Sequence, residues 1–297
     1  MAESNILISR NIVKKLLKKH KFVKRKILGK ICTGNFPERN EQFEIISKKL
    51  QHYKQSNSPV ISMDTKKKES LGRLCRDGKV YCTKAQEAYD HTNDSVITGK
   101  AIPHGLYDLK QNKAYINIGT SNETAAFLCD SIKCWWENHG KISYPSAKEI
   151  FILCDAGGAN SWRIYVFKVE LQKLANLLNI KIIICHYPPY ASKWNPIEHK
   201  VFPHVTRAME GVMLESHEQT LSLIEKTVTS TGLQVVGAII DKMYDLGIKT
   251  SKKALDSLNI SYDEMVPGLN YSICPALVSV FPVKLRSCFL LGEIAHV

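Results

Sequence analysis

The sequence has no apolar run of 18 residues, the length a membrane-spanning helix needs. Its start, with Glu3 and an early Arg10, lacks the charge-then-apolar order of a signal peptide. A cytoplasmic protein with no membrane partner is expected. No CxxC pair occurs among its nine cysteines, which argues against a cysteine zinc site, and the odd number argues against a closed disulfide framework. Cys129, Cys154 and Cys185 sit in apolar runs and are expected to be reduced, buried thiols. The glycine turn at Gly157 and Gly158 is not followed by a Lys-Ser/Thr pair, so it is no Walker phosphate loop. Acids are scarce, 28 against 41 Lys and Arg, and the net charge of +13 favours a polyanionic partner, of which nucleic acid is the usual one. Glycoside hydrolysis also uses paired carboxylates but needs no such surface.

What is present is organised around Ile182 to His199, IIICHYPPYASKWNPIEH. Ile182 to Cys185 read as a strand buried on both faces, ended by Pro188 and Pro189. Asn195, Pro196 and Glu198 then read as N-cap, first helical position and capping-box acid. Glu198 is thus either a capping residue or a carboxylate thrown out at the end of a sheet. Two more short apolar runs end in an acid: Ser58 to Asp64, and Glu149 to Asp155.

From Arg10 to Lys30 there are ten Lys or Arg and no acid, while Val13, Leu16 and Leu17 keep a helical spacing. This predicts a basic amphipathic helix in which Lys14, Lys15, Lys18 and Lys19 contact phosphate. A connecting helix follows over 40–53, then the strand ending at Asp64. Lys66, Lys67 and Lys68 continue from it and could hold a phosphate backbone near the acid; an exposed strand exit explains them equally well. Residues 70–103 read as hairpin and loop, and 104–109 and 114–119 as two strands that complete an antiparallel trio. Ala125, Leu128, Ile132 and Trp135 mark a helix over 123–138. After Asp155, Gly157, Gly158 and Asn160 form a turn that leaves room for close backbone approach, and Phe167, Leu171, Leu174 and Leu178 mark the next helix. Leu221, Ile224 and Val228 mark one more, and 235–265 read as helical. The expected division is 1–57 as a basic helical segment with its linker; 58–230 as the catalytic domain; 231–273 as a helical extension; and 274–297 as a tail without an assigned role.

Parallel strands joined by crossover helices bring their ends to one edge, so Asp64, Asp155 and Glu198 can converge. Each carboxylate pair at ~4 Å repels by about 4 kcal/mol at an effective dielectric of 20, so protons or cations must accompany them. Two hard divalent cations would activate an attacking oxygen and stabilise a leaving one in phosphodiester displacement. The combined reading is a magnesium-dependent enzyme that cuts or joins DNA, with Lys193 a further DNA contact. His104, His186 and His199 are candidates for proton transfer, or hydrogen-bonded structural residues.

The segments PVISMDTKKKESLG, HTNDSVITGKAIPHGLYDL, ILCDAGGANSWR, HYPPYASKWNPIEHKVF and TSTGL resemble those of DDE transposases from bacterial insertion sequences, of the ISAzo type related to the Tc/mariner group. The resemblance runs from about Ser9 to Tyr271. It implies an α/β fold, a ribonuclease H-like mixed sheet with flanking helices, preceded here by the short basic helical segment as the remnant of a DNA-binding region. It also implies magnesium or manganese, two ions, and transposon-end and target DNA as partners of a homo-oligomer in a bacterial cytoplasm. Matched by motif, the catalytic and metal-binding acids are Asp64, Asp155 and Glu198, with Gly157, Gly158, Asn160, Asn195 and His199 in support. The implied reaction is strand cleavage followed by strand transfer. A transposition-incompetent DNA-binding remnant and a ribonuclease H-like nuclease are the alternatives.

Overall fold

The computed structural model describes residues 8–25, 36–89 and 94–276, and the chain divides into two units, residues 1–35 and 36–297. In the first, α1 (Arg10–Lys19) starts where Ser9 Oγ accepts the Ile12 amide, and Lys18 and Lys19 occupy the last turn, where cations suit the helix dipole. All its residues are exposed. Ile12, Val13, Leu16 and Leu17 line one side, and Lys14, Lys15, Lys18 and Lys19 fall on the other. The rest of the expected positive segment, from residue 26 on, lies outside the described residues.

The second unit begins with α2 (Arg39–Gln55), β1 (Val60–Thr65), β2 (Glu69–Leu71), β3 (Gly99–Asp108) and β4 (Lys113–Gly119). Next comes α3 (Ala125–Trp135), which runs through a π-helical turn, Trp136–Gly140, into α4 (Lys141–Ser143). Then follow β5 (Glu149–Cys154), α5 (Tyr165–Leu178), β6 (Lys181–His186), α6 (Pro196–Lys200), α7 (Phe202–Ala208) and α8 (His217–Glu225). The described chain closes with β7 (Gln234–Ile240), α9 (Lys252–Asp256), β8 (Ile260–Tyr262) and β9 (Asn270–Ile273). Among the described residues no helix is long and apolar enough to cross a membrane.

Nine strands among the described residues form one mixed sheet in the order β7-β4-β3-β1-β5-β6-β9-β8, with β2 paired to β3. β1, β3 and β4 are an antiparallel trio, whereas β5 and β6 run parallel to β1. An antiparallel meander followed by two parallel strands on its first member is the expected ribonuclease H-like arrangement. Strand alternation sets the layers. Ile61, Met63, Ile152, Ile182 and Ile184 pack under α3 and α5. On the opposite face Val60, Phe151 and Leu153 meet Ile46 and Tyr53 of α2, the Tyr53 and Phe151 rings stacked at 4.6 Å. Further along that face, Tyr107, Ala114, Ile116 and Ile118 meet Ile197, Phe202 and Val205 of α6 and α7. Each fully buried Ile or Phe contributes about 1.5–3 kcal/mol.

The segment 235–265 departs from the helical expectation. Residues 234–240 form β7, which pairs in parallel with β4, and β8 and β9 extend the other side of the sheet from β6. The stretch 231–273 therefore gives three strands to the sheet and a single short helix, α9, where a helical extension was expected; the β-branched Val235, Val236, Ile239 and Ile240 of β7 suit a pleated edge. Val228, expected on the preceding helix, lies beyond the end of α8 and is exposed.

Candidate active site

Two of the three acids are placed by register alone. Met63 lies opposite Cys154 in the parallel β1–β5 pair, so Asp64 and Asp155, one residue further on, leave adjacent strand ends together. By alternation both side chains share the face of Val60 and Leu153, which α6 approaches carrying Glu198. Two features let α6 come close. Gly105 lies opposite Asp64 in β3, and a Cβ there would stand 2.6 Å from Ile197 Cδ1 and 2.9 Å from Phe202 Cε1. The second is Asn195, whose side chain makes no cap bond to the helix. Instead its Nδ2 donates to the Met63 carbonyl at 2.9 Å and its Oδ1 accepts from Ser62 Oγ, which in turn accepts the Ile197 amide at 2.9 Å. Asn195 and Pro196 thus hold the N-cap and first positions of α6 as expected, and the capping box is corrected only in that the Asn195 side chain turns to β1 and does not cap. Asn195 is buried and needs partners, and those on β1 are within its reach.

The three carboxyl groups interact. Burial first, then the Asp155 charge and a hydrogen bond with Glu198, push the Asp64 carboxyl up to about 9, against the Thr65 amide that donates to it at 2.8 Å. Burial also raises Asp155, with the charges of Glu198 and Glu123 adding to it, while hydrogen bonds from Asn160 and the Gly157 amide hold it down. Asn160 Nδ2 lies 3.1 Å from Asp155 Oδ1. Gly158 sits at φ +64, in the left-handed region, where it closes the turn at no steric cost.

The histidines divide. His104 is fully buried beside Ser131, its Nδ1 2.7 Å from Oγ, and burial pushes it down to about 3. His186 is likewise buried and pushed down to about 4, and its Nδ1 donates to the Asp155 carbonyl at 2.7 Å. Both are buried and hydrogen-bonded within the fold, which favours the structural reading over proton transfer. His199 is exposed.

The lysine trio also divides. Lys66 is buried against Glu69, whose second oxygen takes Arg76, and Lys68 pairs with Glu123 at 3.2 Å. Lys67 is exposed and makes no ion pair among the described residues. It lines a cavity of about 750 Å³ together with Arg76, Phe202 and Glu198. Lys193 is exposed, its ammonium 5.8 Å from the Trp194 ring centroid.

The family model described as the Rhodopirellula transposase DDE domain matches residues 1–275. The chain belongs to this family. Its DDE domain is also similar to solved Mos1 structures. One is the Mos1 transposase paired-end complex with left transposon end, at 15% identity and a TM-score of 0.47, covering 74% of this chain and 62% of that one. Another is the mariner Mos1 paired end complex with Mg, at 12% identity and a TM-score of 0.48, covering 74% and 63%. A third is the catalytic domain of Mos1 mariner transposase, at 12% identity and a TM-score of 0.43, covering 68% and 84%. The DDE domain thus spans less than two thirds of the length of the first of these. No curated protein matches it.

Among the described residues no three His, Cys, Asp or Glu side chains close as a ready metal-binding group. The donor set still suits a hard divalent cation. It offers carboxylate oxygens only, their mutual repulsion is what a cation would relieve, and Glu198 opens onto the cavity. The sequence reading of the DDE domain missed Ser62, Gly105 and Glu123. Ser62 had a detectable signal, since it lies two residues before Asp64 on the same face of β1.

Proposed function

We propose that this domain breaks and joins DNA strands as a transposase, with Asp64, Asp155 and Glu198 as its catalytic acids. The observation that supports the reading is the register that sets Asp64 and Asp155 at neighbouring strand ends, with Glu198 brought toward them by α6, in a chain of the DDE family. In the first step a water oxygen forms a bond to phosphorus at a transposon end and the P–O3′ bond breaks, leaving a 3′ hydroxyl and a 5′ phosphate. In the second, that hydroxyl oxygen bonds a target phosphorus and displaces the target's own 3′ oxygen.

The three acids would hold the divalent cations, Mg²⁺ or Mn²⁺, and a bound pair supplies activation of the entering oxygen and stabilisation of the leaving one. The remaining roles belong to the chain itself. The Thr65 amide orients Asp64, and Asn160 with the Gly157 amide orients Asp155. In the second unit Lys67 and Arg76, in the cavity beside Glu198, meet phosphate and Lys193 follows the DNA backbone; the lysines of α1, taken by themselves, are a further phosphate-binding segment. Joining two ends to one target requires at least two copies of the chain.

The test is nicking and joining of a labelled DNA duplex in Mg²⁺ by wild type and by Asp155→Asn. Joined products that need metal and disappear in the variant support the reading. Cleavage without joining would make the domain a nuclease, and equal products from both proteins would remove Asp155 from the chemistry.

A further inference from the structure

Asp155 stands one residue beyond the end of β5, where the sheet ladder no longer holds it. Its carbonyl is held by side chains instead, at long range by Asn160 Nδ2 (3.5 Å) and closely by His186. His186, the last residue of β6 and the register partner of Cys154, places Nδ1 2.7 Å from the Asp155 carbonyl and 3.3 Å from Cys154 Sγ. A carbonyl only accepts, so Nδ1 carries the proton and Nε2 of the neutral ring is an acceptor. The Tyr271 hydroxyl, 3.3 Å from Nε2, is the donor that meets it. This direction of donation runs Tyr271 to His186 to Asp155.

Tyr271 is itself fixed from several sides. It is fully buried on β9, whose neighbour Asn270 exchanges amide hydrogen bonds with Gln42 of α2 at 2.6 and 3.1 Å. The Lys168 ammonium sits 5.1 Å from its ring centroid and at 5.0 and 5.2 Å from those of Tyr165 and Tyr262. The His186 amide donates to the Leu269 carbonyl at 2.8 Å, which locks the two strands beside the ring. No element of this assembly touches the acids' carboxylates; it acts on Asp155 through the backbone.

We propose that Tyr271 and His186 are positioning residues for Asp155, fixing the backbone from which its carboxylate reaches a bound divalent cation. The inference rests on the reading of Asp155 as a cation-holding acid. Outer partners of this kind set ligand orientation, and losing one costs about 10–100-fold in metal affinity or activity.

The experiment compares wild type, Tyr271→Phe, His186→Ala and His186→Asn, the last of which keeps an amide donor near the position of Nδ1. Each is measured for Mn²⁺ affinity by titration calorimetry and for kcat and KM in DNA cleavage, at a temperature where unfolding curves show it folded. Tyr271→Phe is expected to lose about tenfold in Mn²⁺ affinity and in kcat with KM for DNA unchanged. His186→Asn should recover much of the loss seen in His186→Ala, and Tyr271→Phe should add nothing to His186→Asn. Wild-type Mn²⁺ affinity and kcat in a folded Tyr271→Phe overturn the proposal, whatever happens to His186→Ala. A wild type that binds Mn²⁺ but cleaves no DNA removes the transposase reading instead, and the affinities then decide the positioning role by themselves.

Discussion

Ser62 and Asn195 are hydrogen-bonded side chain to side chain across the gap between β1 and α6. Because Asn195 also binds the Met63 carbonyl, the helix bearing Glu198 hangs from the strand that carries Asp64. Replacing Asn195 by Ala leaves the Met63 carbonyl and the Ser62 hydroxyl short of a buried partner, at about 1–3 kcal/mol. Urea unfolding should show that loss, and DNA cleavage should fall by more than tenfold. Ser62→Ala, which leaves the Asn195–Met63 bond in place, should lose less of both.

The Asp64 carboxylate is destabilised by burial and by its acidic neighbours. With that carboxyl raised to about 9, the metal-free fold must hold a proton that the unfolded chain releases at neutral pH; Asp64→Asn removes this cost and is expected to be more stable by on the order of 1–3 kcal/mol. Wild type should in turn be stabilised by added Mg²⁺, and Asp64→Asn much less. Thermal unfolding with and without Mg²⁺ measures both; equal Mg²⁺ shifts in the two proteins would place the cation elsewhere.

His104 supplies a pH signature away from the acids. Its folded-state value, about 3, lies below the ordinary 6.5, so the unfolded chain takes up the proton first. Its contribution is complete above about pH 6.5 and is lost as the pH falls toward 3. The stability of wild type relative to His104→Gln should therefore decrease by up to about 1.4 kcal/mol per unit between about pH 6 and 4. A pH-independent difference in urea unfolding would show His104 titrating normally.

Lys67 and Lys66 differ in kind. Lys67→Gln should weaken DNA binding across all sequences and reduce the salt slope of log K by about 0.9. Lys66→Gln breaks the buried contact with Glu69 and should appear first as lost stability, with the salt slope nearly unchanged. Binding titrations at several salt concentrations separate the two.

The strands that carry the acids were legible because their signal is local: a short apolar run, a turn, and an acid at the junction. Asn195 does occupy the N-cap of α6, as Asn-Pro-x-Glu indicates, and only the position of β1 reveals that its side chain is engaged elsewhere. β7 reads like an apolar helix segment until its parallel partner β4, more than a hundred residues earlier, is placed beside it. The lysines of β1's exit looked equivalent because ion pairs with Glu69 and Glu123 depend on the folded loop and on α3's approach. Tyr271 carried no signal at all, since its partner His186 lies on another strand.

The position of β9 has a consequence for synthesis. A nascent chain that has emerged as far as Glu198 already contains all three acids, yet Tyr271 and the strand that borders β6 are still to be made. During translation at about 5–20 residues per second, that interval lasts several seconds. A partial chain on the ribosome that has reached only Glu198 therefore holds its acids on an unfinished sheet, one that still lacks β7, β8 and β9.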